Sequence, residues 1–490
     1  MKGRLVVVSN RLPIVIARTG SREWEIRSGS GGLVTAMGPV LRHRGGLWIG
    51  WLGLPENDCP SEEYLRDLVL AGTSQSGYSL QHLHLSREEV VTYYDGFSNE
   101  IVWPLFHDLF SHCNFDQSYW EGYQKVNRKF AEMVVSRTCR DDYVWVHDYQ
   151  LILVARELRR LGCTRRLGFF LHIPFPPLDI FLKLPWRFQI LEAFLEYDLI
   201  GFQTVRDRKN FIGCVRALNG YRVTGRGHVQ TIHTDLKKVL AGVFPISIDY
   251  REFDEYARTQ EVAEQAWITH ANFPGMQIIL GVDRLDYTKG IIHRLLAFEN
   301  ALARYPDMRR KITLLQVVVP SRGDVEGYEK LKQEIERLVG EINGRYTEVG
   351  WTPVHYIFRA LPRKELVAYY RTCEIALVTP LKDGMNLVAK EYCASSVEEN
   401  GVLILSEFAG AAAQLYPNAL LVNPYDLTGV ADAIYEAFTM PHETRCMMMR
   451  RMRASIQRND IVKWVNSFLR AGIAKDLNDF PQLELFVPRQ

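Results

Sequence analysis

The chain has 490 residues, of which 47% are hydrophobic and 24% charged, and its formal net charge is +2. This length predicts two or three domains, and the composition is that of an ordinary globular protein, which excludes a disordered chain, a collagen and a coiled coil. A net charge so close to zero provides no long-range attraction for a polyanion such as a nucleic acid.

Local features of the sequence also fail to indicate a nucleic-acid, membrane or metal partner. The densest basic stretch, Arg156 to Arg166, has helical spacing and alternates with leucines, so it is interpreted as the solvated face of a helix. No apolar run reaches the roughly 18 residues of a membrane-spanning helix, and the start of the chain lacks the features of a signal peptide. The eight cysteines stand singly, without metal-ligand spacing. We expect a cytosolic protein with no metal, no cofactor, no nucleic-acid partner and no membrane partner.

Short, continuous apolar runs recur along the chain, separated by amphipathic stretches. Such runs predict strands of parallel sheets buried on both faces. The predicted strands are Leu5–Val8, Tyr143–Val146, Leu167–Leu171, Asp198–Phe202, Leu240–Phe244, Ile278–Val282, Ile312–Val319, Val354–Phe358, Ile375–Val378, Val402–Leu405 and Ala419–Val422. The pattern restarts after Phe244, which predicts an α/β protein of two Rossmann-like, doubly wound domains, 1–244 and 245–490. Ligands are then expected beyond the carboxyl ends of the strands, in a cleft between the domains.

Candidate site residues of the first half follow predicted strands. Gly31 and Gly32 open an apolar helix, where backbone N–H groups could approach an anion, although a flexible turn explains this pattern equally well. His147-Asp148 and His172 end two strands. Either histidine alone is more often a hydrogen-bonded core residue, but two at neighbouring strand ends favour a site.

In the second half of the chain, positively and negatively charged residues also follow predicted strands. Arg284 and Lys289 follow one strand and could neutralise a diphosphate leaving group, and Arg322 follows the next strand. Surface ion pairs are the alternative for these cations. Asp383 and Glu391 follow a third strand and could bind sugar or ribose hydroxyls, while a plain helix cap is the alternative for Asp383. Together these groups indicate glycosyl transfer from a nucleotide sugar.

Five motifs carry a resemblance to a known family. They are Ser9-Asn10-Arg11-Leu12-Pro13, the run from Tyr94 to Trp103, His172-Ile173-Pro174-Phe175-Pro176, Arg284 to Gly290, and Asp383 to Glu391. In this order they resemble the retaining, two-domain glycosyltransferases that make trehalose 6-phosphate, over nearly the whole chain. The resemblance implies a GT-B fold and a C-terminal helix, at about 460–479, that crosses back to the first domain.

The resemblance also implies residue roles. The acceptor, glucose 6-phosphate, would contact Arg11, Tyr94, Trp103, Asp148 and Arg322. The donor, a nucleoside-diphosphate glucose and most simply UDP-glucose, would contact Gly31, Gly32, His172, Arg284, Lys289, Leu361, Asp383, Gly384, Met385, Asn386, Leu387, Val388, Ala389, Lys390 and Glu391. Catalysis would fall to Asp148, His172, Arg284, Lys289 and Asp383. The reaction would retain the α configuration by front-face attack, without a protein nucleophile, and no metal is required because two cations replace it.

Some features depart from the family pattern or leave alternatives open. Gln150 stands where relatives commonly have histidine, and the loop from Leu12 to Ser30 is longer than in the shortest bacterial relatives. The chain has no acidic phosphatase motif, so a separate phosphatase is expected to act on the product. A homo-oligomer is compatible with the sequence. The alternatives are a glucosyltransferase for another phosphorylated acceptor, such as glycerol 3-phosphate, and a non-catalytic sugar-phosphate sensor.

Overall fold

A computed structural model of the chain describes residues 3–19, 23–29, 32–320 and 326–473. The described chain forms two compact units. Among the described residues, unit one contains those up to Pro245 together with 464–473, and unit two contains Ile246–Lys463. Each unit has its own sheet, covered by helices.

Unit one is built on a largely parallel sheet. Its described strands are β1 (Leu5–Arg11), β2 (Ile14–Thr19), β3 (Glu23–Ser28), β4 (Gly46–Trp51), β5 (Ser79–Leu83), β6 (Tyr143–His147), β7 (Arg166–Phe170), β8 (Leu199–Phe202), β9 (Arg222–Thr224), β10 (Val229–His233) and β11 (Lys238–Val243). The sheet order is β5-β4-β1-β6-β7-β8-β11-β10-β9, in which β10 pairs antiparallel with both β11 and β9 and the other pairs are parallel. Strands β2 and β3 form a separate antiparallel hairpin. The inner strands β4, β6 and β8 are largely apolar and buried along their length, as strands covered on both faces must be.

The helices of unit one cover both faces of this sheet. They are α1 (Gly32–Arg44), α2 (Glu62–Ser76), α3 (Arg87–Glu89), α4 (Trp103–Phe106), α5 (Gln117–Arg137), α6 (Val154–Arg160), α7 (Leu178–Phe181), α8 (Arg187–Leu195) and α9 (Val205–Asn219). Between α3 and α4 the chain continues as a π-helix, Val90–Val102. Short 3₁₀ turns occupy Glu56–Asp58, Phe110–His112 and Tyr149–Leu151.

Unit two has a six-stranded, entirely parallel sheet of order β14-β13-β12-β15-β16-β17, in which the strands are numbered along the chain. They are β12 (Gln277–Arg284), β13 (Ile312–Val319), β14 (Val354–Phe358), β15 (Ile375–Val378), β16 (Val402–Ser406) and β17 (Leu420–Val422). Its helices are α10 (Tyr250–Ala257), α11 (Gln260–Ala271), α12 (Ile291–Arg304), α13 (Glu326–Tyr346), α14 (Arg363–Thr372), α15 (Leu387–Ser395), α16 (Ala412–Leu415), α17 (Leu427–Thr439) and α18 (His442–Arg458), with 3₁₀ turns at Tyr287–Lys289 and Pro306–Met308.

The last described helix, α19 (Ile461–Ile473), packs on the sheet of unit one from Trp464 onward. The ring of Phe468 stacks on Trp145, with centroids 4.1 Å apart and planes within 5°. Gly168 and Gly201 make room for it, because a Cβ atom at either position would lie within about 3 Å of the Phe468 ring. The helix is thereby fixed against the middle of the sheet.

The prediction of two doubly wound α/β sheets is confirmed, and all the predicted strands exist. The strands that the sequence did not reveal are β2, β3, β4, β5, β9 and β10. The interpretation of Arg156 to Arg166 as one solvated helix face was wrong in two respects. The helix ends at Arg160, and Arg159 binds inward to Asp198 and to backbone carbonyls because the turn after the helix folds back over it. Within the described ranges, no helix is long and apolar enough to cross a bilayer.

Candidate active site

The guanidinium of Arg11 lies beside two aromatic rings that contact each other, at the carboxyl end of β1. It stands 5.2 Å from the ring centroid of Trp51 and 5.4 Å from that of Tyr94, within the range of cation–π attraction. Gly53 allows this placement, since a Cβ there would lie 3.0 Å from a guanidinium nitrogen. The structure therefore brings Arg11 and Tyr94, two of the predicted acceptor residues, together around an exposed cation.

Tyr94 belongs to the π-helix that precedes Trp103. π-helical turns are rare, usually single, and often found at functional sites. Here the wider turns continue up to the start of α4. Trp103 is the first residue of α4, and its indole is buried against Tyr149, with the ring centroids 5.6 Å apart. Trp103 thus lies beside the turn that follows Asp148.

Asp148 and His172 meet at the ends of the adjacent strands β6 and β7. An Asp148 carboxylate oxygen accepts a hydrogen bond from the His172 amide at 3.1 Å. Asp148 has φ 75° and ψ 168°, a conformation that is essentially restricted to glycine and costs about 1–3 kcal/mol in other residues. Strain of this kind persists only where the surroundings impose it, and it concentrates at functional sites.

The His172 ring is held by a second histidine. Its Nε2 lies 3.1 Å from Nδ1 of His147, which is completely buried. Burial lowers the pKa of His172 to about 3, and burial together with His172 lowers the pKa of His147 well below its usual value. Both rings are therefore neutral at physiological pH, so His172 can act as a hydrogen-bonding group and not as a cation.

Two buried side chains of α5 hold the turn after Asp148. The Tyr123 hydroxyl donates to the Tyr149 carbonyl at 2.6 Å, and Asn127 donates to the Gln150 carbonyl and accepts from the Leu153 amide. Gln150, the departure from the family pattern, is buried in this turn. Hydrogen bonds to the residues that follow Asp148 therefore hold its strained backbone in place.

In unit two, an ion pair joins two of the predicted site residues. The Lys289 ammonium lies 2.6 Å from an Asp383 carboxylate oxygen, and both side chains are 14% exposed. Burial alone would lower the pKa of Lys289, but it is raised because Asp383, Asp286 and Asp283 together outweigh burial and the repulsion from Arg284. The predicted alternative of a surface pair with a neighbouring aspartate does not describe this contact.

A second ion pair lies beneath the first. Arg294 of α12 is fully buried, and its guanidinium is 2.7 Å from the carboxylate of Asp283, which is 3% exposed. Arg294 also donates to Thr379 at 3.1 Å and to Gln316 at 3.2 Å. These bonds tie the ends of β12 and β15 to each other, next to Lys289. Arg284, the last residue of β12, is exposed.

The turn from Asp383 to Asn386 ends in the N-terminus of α15. Asn386, with φ 72°, caps the helix by accepting from the Ala389 amide, so the alternative of Asp383 as the cap is wrong. Asp383 instead accepts from the Met385 amide and the Asn386 side chain. The turn packs closely on Gly410, where a Cβ would lie 2.0 Å from the Gly384 carbonyl oxygen. The helix N-terminus, with the amides of Leu387 and Val388, thus presents a positive dipole end.

Glu391 and Lys390, further along α15, have different hydrogen-bond partners. One carboxylate oxygen of Glu391 accepts a hydrogen bond from the buried Tyr370 hydroxyl at 2.9 Å. Burial raises the pKa of Glu391, although Tyr370 and Arg363 oppose this effect. The Lys390 ammonium is buried and donates to the Ile246 carbonyl at 2.7 Å, so only its backbone is available to a donor. Burial lowers the pKa of Lys390 to about 7.

The remaining candidates are placed as follows. Leu361 lies half-buried in the loop between β14 and α14, and Gly32 is the first residue of α1. Gly31 and Arg322 lie outside the described residues. No group of three or more metal-ligating side chains occurs in the described part of the chain.

Sequence reasoning missed Trp51, Tyr370 and the Asp283–Arg294 pair. A signal existed for Arg294, which follows Ile291 by three residues and precedes Leu295 and Phe298 on the apolar side of α12. An arginine on a buried helix face needs a buried partner. No comparable pattern marks Tyr370 or Trp51.

Two Rossmann-like α/β units, each with polar and charged side chains collected beyond the carboxyl ends of its parallel strands, are the architecture of GT-B glycosyltransferases. The family model described as glycosyltransferase family 20 matches residues 3–472, and the chain belongs to this family.

Relatives and solved structures agree with that assignment. The chain is 44% identical to a trehalose-6-phosphate synthase of Mycolicibacterium gilvum, over 97% of this chain and 94% of the relative. Among solved structures, a UDP-forming α,α-trehalose-phosphate synthase of Burkholderia xenovorans in complex with glucose-6-phosphate is 36% identical, with a TM-score of 0.85 over 96% of this chain and 100% of that one. An E. coli structure bound with UDP-2-fluoro glucose is 38% identical, with a TM-score of 0.85 over 96% and 99%.

Proposed function

We propose that the chain is a trehalose-6-phosphate synthase, which transfers glucose with retention from UDP-glucose to glucose 6-phosphate and releases UDP. The observation that carries this proposal is the charged set Arg284, Lys289 and Asp383 at the strand ends of unit two, in a chain of glycosyltransferase family 20. The ligands of the Burkholderia and E. coli relatives support the two substrates.

In unit two, the proposed donor site combines cations, a helix dipole and carboxylates. Arg284, Lys289 and the N-terminus of α15 would stabilise the negative charge that develops on the departing diphosphate. Asp383 would contact the transferred glucose. Glu391 would bind the ribose hydroxyls through the carboxylate oxygen that Tyr370 does not occupy.

In unit one, Arg11 and Tyr94 would hold the phosphate of the acceptor. The resemblance assigns Arg322, of the second half of the chain, to the same phosphate. Trp103 and Asp148 would line the acceptor sugar, and neutral His172 would offer a hydrogen bond to the donor glucose. Attack occurs from the face of the departing phosphate, whose oxygen takes the proton of the acceptor hydroxyl. The new glycosidic bond thus replaces the bond to UDP with the α configuration retained.

The proposal extends to the partners. The product keeps its phosphate and is handed to a separate phosphatase. We also propose a location in the cytosol and allow for a homo-oligomer, which size measurement in solution would test.

A donor-by-acceptor matrix tests the function. Purified protein is incubated with UDP-, GDP- or ADP-glucose and with glucose 6-phosphate or glycerol 3-phosphate, and NMR identifies the product anomer. We expect trehalose 6-phosphate with α,α linkage and release of UDP. Preference for glycerol 3-phosphate would select the first alternative, and substrate binding without release of nucleoside diphosphate would select the sensor.

A further inference from the structure

The hydrogen bond between His147 and His172 can have either of two directions. Nδ1 of His147 lies 3.1 Å from Nε2 of His172. A neutral imidazole carries one proton, on one of its two nitrogens. Either His147 donates from Nδ1 and His172 accepts, or His172 donates from Nε2 and His147 accepts. In both cases this one contact fixes the position of the proton on both rings.

The second ring nitrogen of His147 is buried among aromatic rings. His147 is completely buried, and its Nε2 has no hydrogen-bond partner among the described residues. The indoles of Trp145 and Trp464 pack beside it, with centroids 4.7 and 6.4 Å from the centroid of the imidazole. An indole nitrogen is a donor only, so neither indole nitrogen offers a lone pair to an N–H group of His147.

A proton on Nε2 of His147 would therefore be buried without an acceptor. A buried donor that is left unsatisfied costs the free energy of its desolvation. Among backbone groups, an orphaned N–H is rarer in folded proteins than a carbonyl oxygen that lacks a donor. The favoured arrangement leaves a lone pair on Nε2 of His147 and a proton on Nδ1, which His147 donates to His172.

This direction decides what His172 presents to a ligand. Because its Nε2 accepts from His147, its own proton lies on Nδ1. His172 is half-buried, and in the described part of the chain its Nδ1 is neither hydrogen-bonded nor buried. The bond from its amide to Asp148 holds the backbone at the same point. The ring is thus held at Nε2, and the Nδ1–H group remains for an oxygen atom of a ligand.

We propose that His147 is a positioning residue that donates from Nδ1 to Nε2 of His172, so that His172 donates from Nδ1 to a hydroxyl oxygen of the transferred glucose. The contact with the sugar rests on the proposed function, whereas the proton positions do not. With the opposite direction, His172 would present a lone pair and would accept from the hydroxyl instead. His147 is completely buried and acts only through His172.

Nitrogen-15 NMR of histidine-labelled protein at pH 7.5 measures the proton positions, because a protonated ring nitrogen and a bare one differ widely in chemical shift. The variants His147→Leu and His172→Leu assign the signals, since each lacks those of one ring. We expect the proton on Nδ1 in both rings. A proton on Nε2 of either ring would overturn the proposal, whether or not the protein transfers glucose.

Steady-state transfer from UDP-glucose to glucose 6-phosphate measures the positioning role. His147→Leu cannot donate, whereas His147→Asn places an amide N–H about where Nδ1 of histidine lies. We expect kcat/KM to fall about tenfold in the leucine variant, as for the loss of one hydrogen bond, and to stay within about threefold of the unsubstituted value in the asparagine variant. The matched control is His233→Leu, which removes a histidine of β10 whose ring is hydrogen-bonded to Thr224 at 2.7 Å, and its transfer should be unchanged.

Two kinetic outcomes would overturn the positioning role. One is unchanged transfer in His147→Leu, and the other is an equal loss in the leucine and asparagine variants. Thermal unfolding of every variant shows whether a loss reflects damage to the structure, and the NMR result on the unsubstituted protein decides the proton positions even if His147→Leu does not fold. An absence of transfer in the unsubstituted protein would contradict the proposed function and not the direction of the hydrogen bond.

Discussion

The ammonium of Lys289 lies 2.6 Å from the carboxylate of Asp383, although 94 positions of the chain separate the two residues. The contact exists because β12 and β15 are neighbours in the sheet, so that the turns after them meet at one edge. The fully buried Arg294 pairs with Asp283 beneath this contact. An ammonium held in this way needs no reorganisation when negative charge develops beside it, which is the condition for electrostatic catalysis.

Replacing either cation should therefore slow turnover strongly. We expect Lys289→Ala and Arg284→Ala each to raise the barrier by about 2–4 kcal/mol, which lowers kcat by roughly 30-fold to 1,000-fold. Steady-state release of UDP measures the effect.

The control for this experiment is Arg251→Ala, which removes an arginine of unit two that pairs only with Glu255 on the surface of α10 in the described structure. Its turnover should equal that of the unsubstituted protein. Near-normal kcat in the Lys289 or Arg284 variant would remove the leaving-group role from that residue.

Glu391 and its hydrogen-bond donor provide a second test. Tyr370→Phe removes the hydroxyl that holds one carboxylate oxygen of Glu391, so the carboxylate can rotate away from a ribose diol. We expect KM for UDP-glucose to rise about tenfold with little change in kcat, since a hydrogen bond to a charged group contributes about 1.5–3 kcal/mol.

A donor that lacks the ribose hydroxyls separates positioning from general damage. With the 2′,3′-dideoxyribose analogue of UDP-glucose, Tyr370→Phe and the unsubstituted protein should have similar KM values. An equal loss with both donors would mean that Tyr370 acts only on the structure of unit two.

The sequence was informative about polar residues that directly follow predicted parallel strands. Apolar strands predict a parallel sheet, and parallel strands bring their carboxyl ends to one edge, so Asp148 and His172 could be expected to meet. What the sequence could not reveal depends on side-chain geometry across long separations. The ring of Trp51 lies beside Arg11 and the hydroxyl of Tyr370 beside Glu391. Trp51 ends an apolar strand and Tyr370 is one of the buried residues of α14, so in the sequence neither differs from an ordinary core aromatic residue.

The strands at and next to one edge of the unit-one sheet were missed for a related physical reason. β9 and β10 have half-exposed, mixed sequences without continuous apolar character, so periodicity does not identify them. The sequence also could not identify the residue that caps the N-terminus of α15. Both Asp383 and Asn386 are good capping residues, and only the backbone, with φ 72° at Asn386, decides which of them caps α15.

The buried histidine pair predicts how stability changes with pH. His172 has a folded-state pKa of about 3, whereas the unfolded chain takes up a proton near pH 6.5. Between these values the unfolded state binds the extra proton, so the free energy of unfolding falls as the pH falls from about 6.5 towards 3. His147 acts in the same direction, because its pKa is also lowered by burial.

Urea unfolding at pH 7.5 and pH 5.5 measures this loss. The double variant His147→Asn/His172→Asn should lose less stability between the two pH values than the unsubstituted protein, whatever its absolute stability. Equal losses in both proteins would show that other groups cause the acid sensitivity.

The last prediction follows from the strained backbone of Asp148. Asp148→Gly and Asp148→Ala both remove the carboxylate and its bond to the His172 amide, but only alanine keeps a Cβ atom at φ 75°. Relief of strain worth about 1–3 kcal/mol, less the greater unfolded-state entropy of glycine, should leave the glycine variant about 1 kcal/mol more stable. Urea unfolding measures the difference, and both variants should lose glucosyl transfer equally. An alanine variant as stable as the glycine variant would mean that the backbone at Asp148 is not strained, and its conformation would then provide no argument for a functional role.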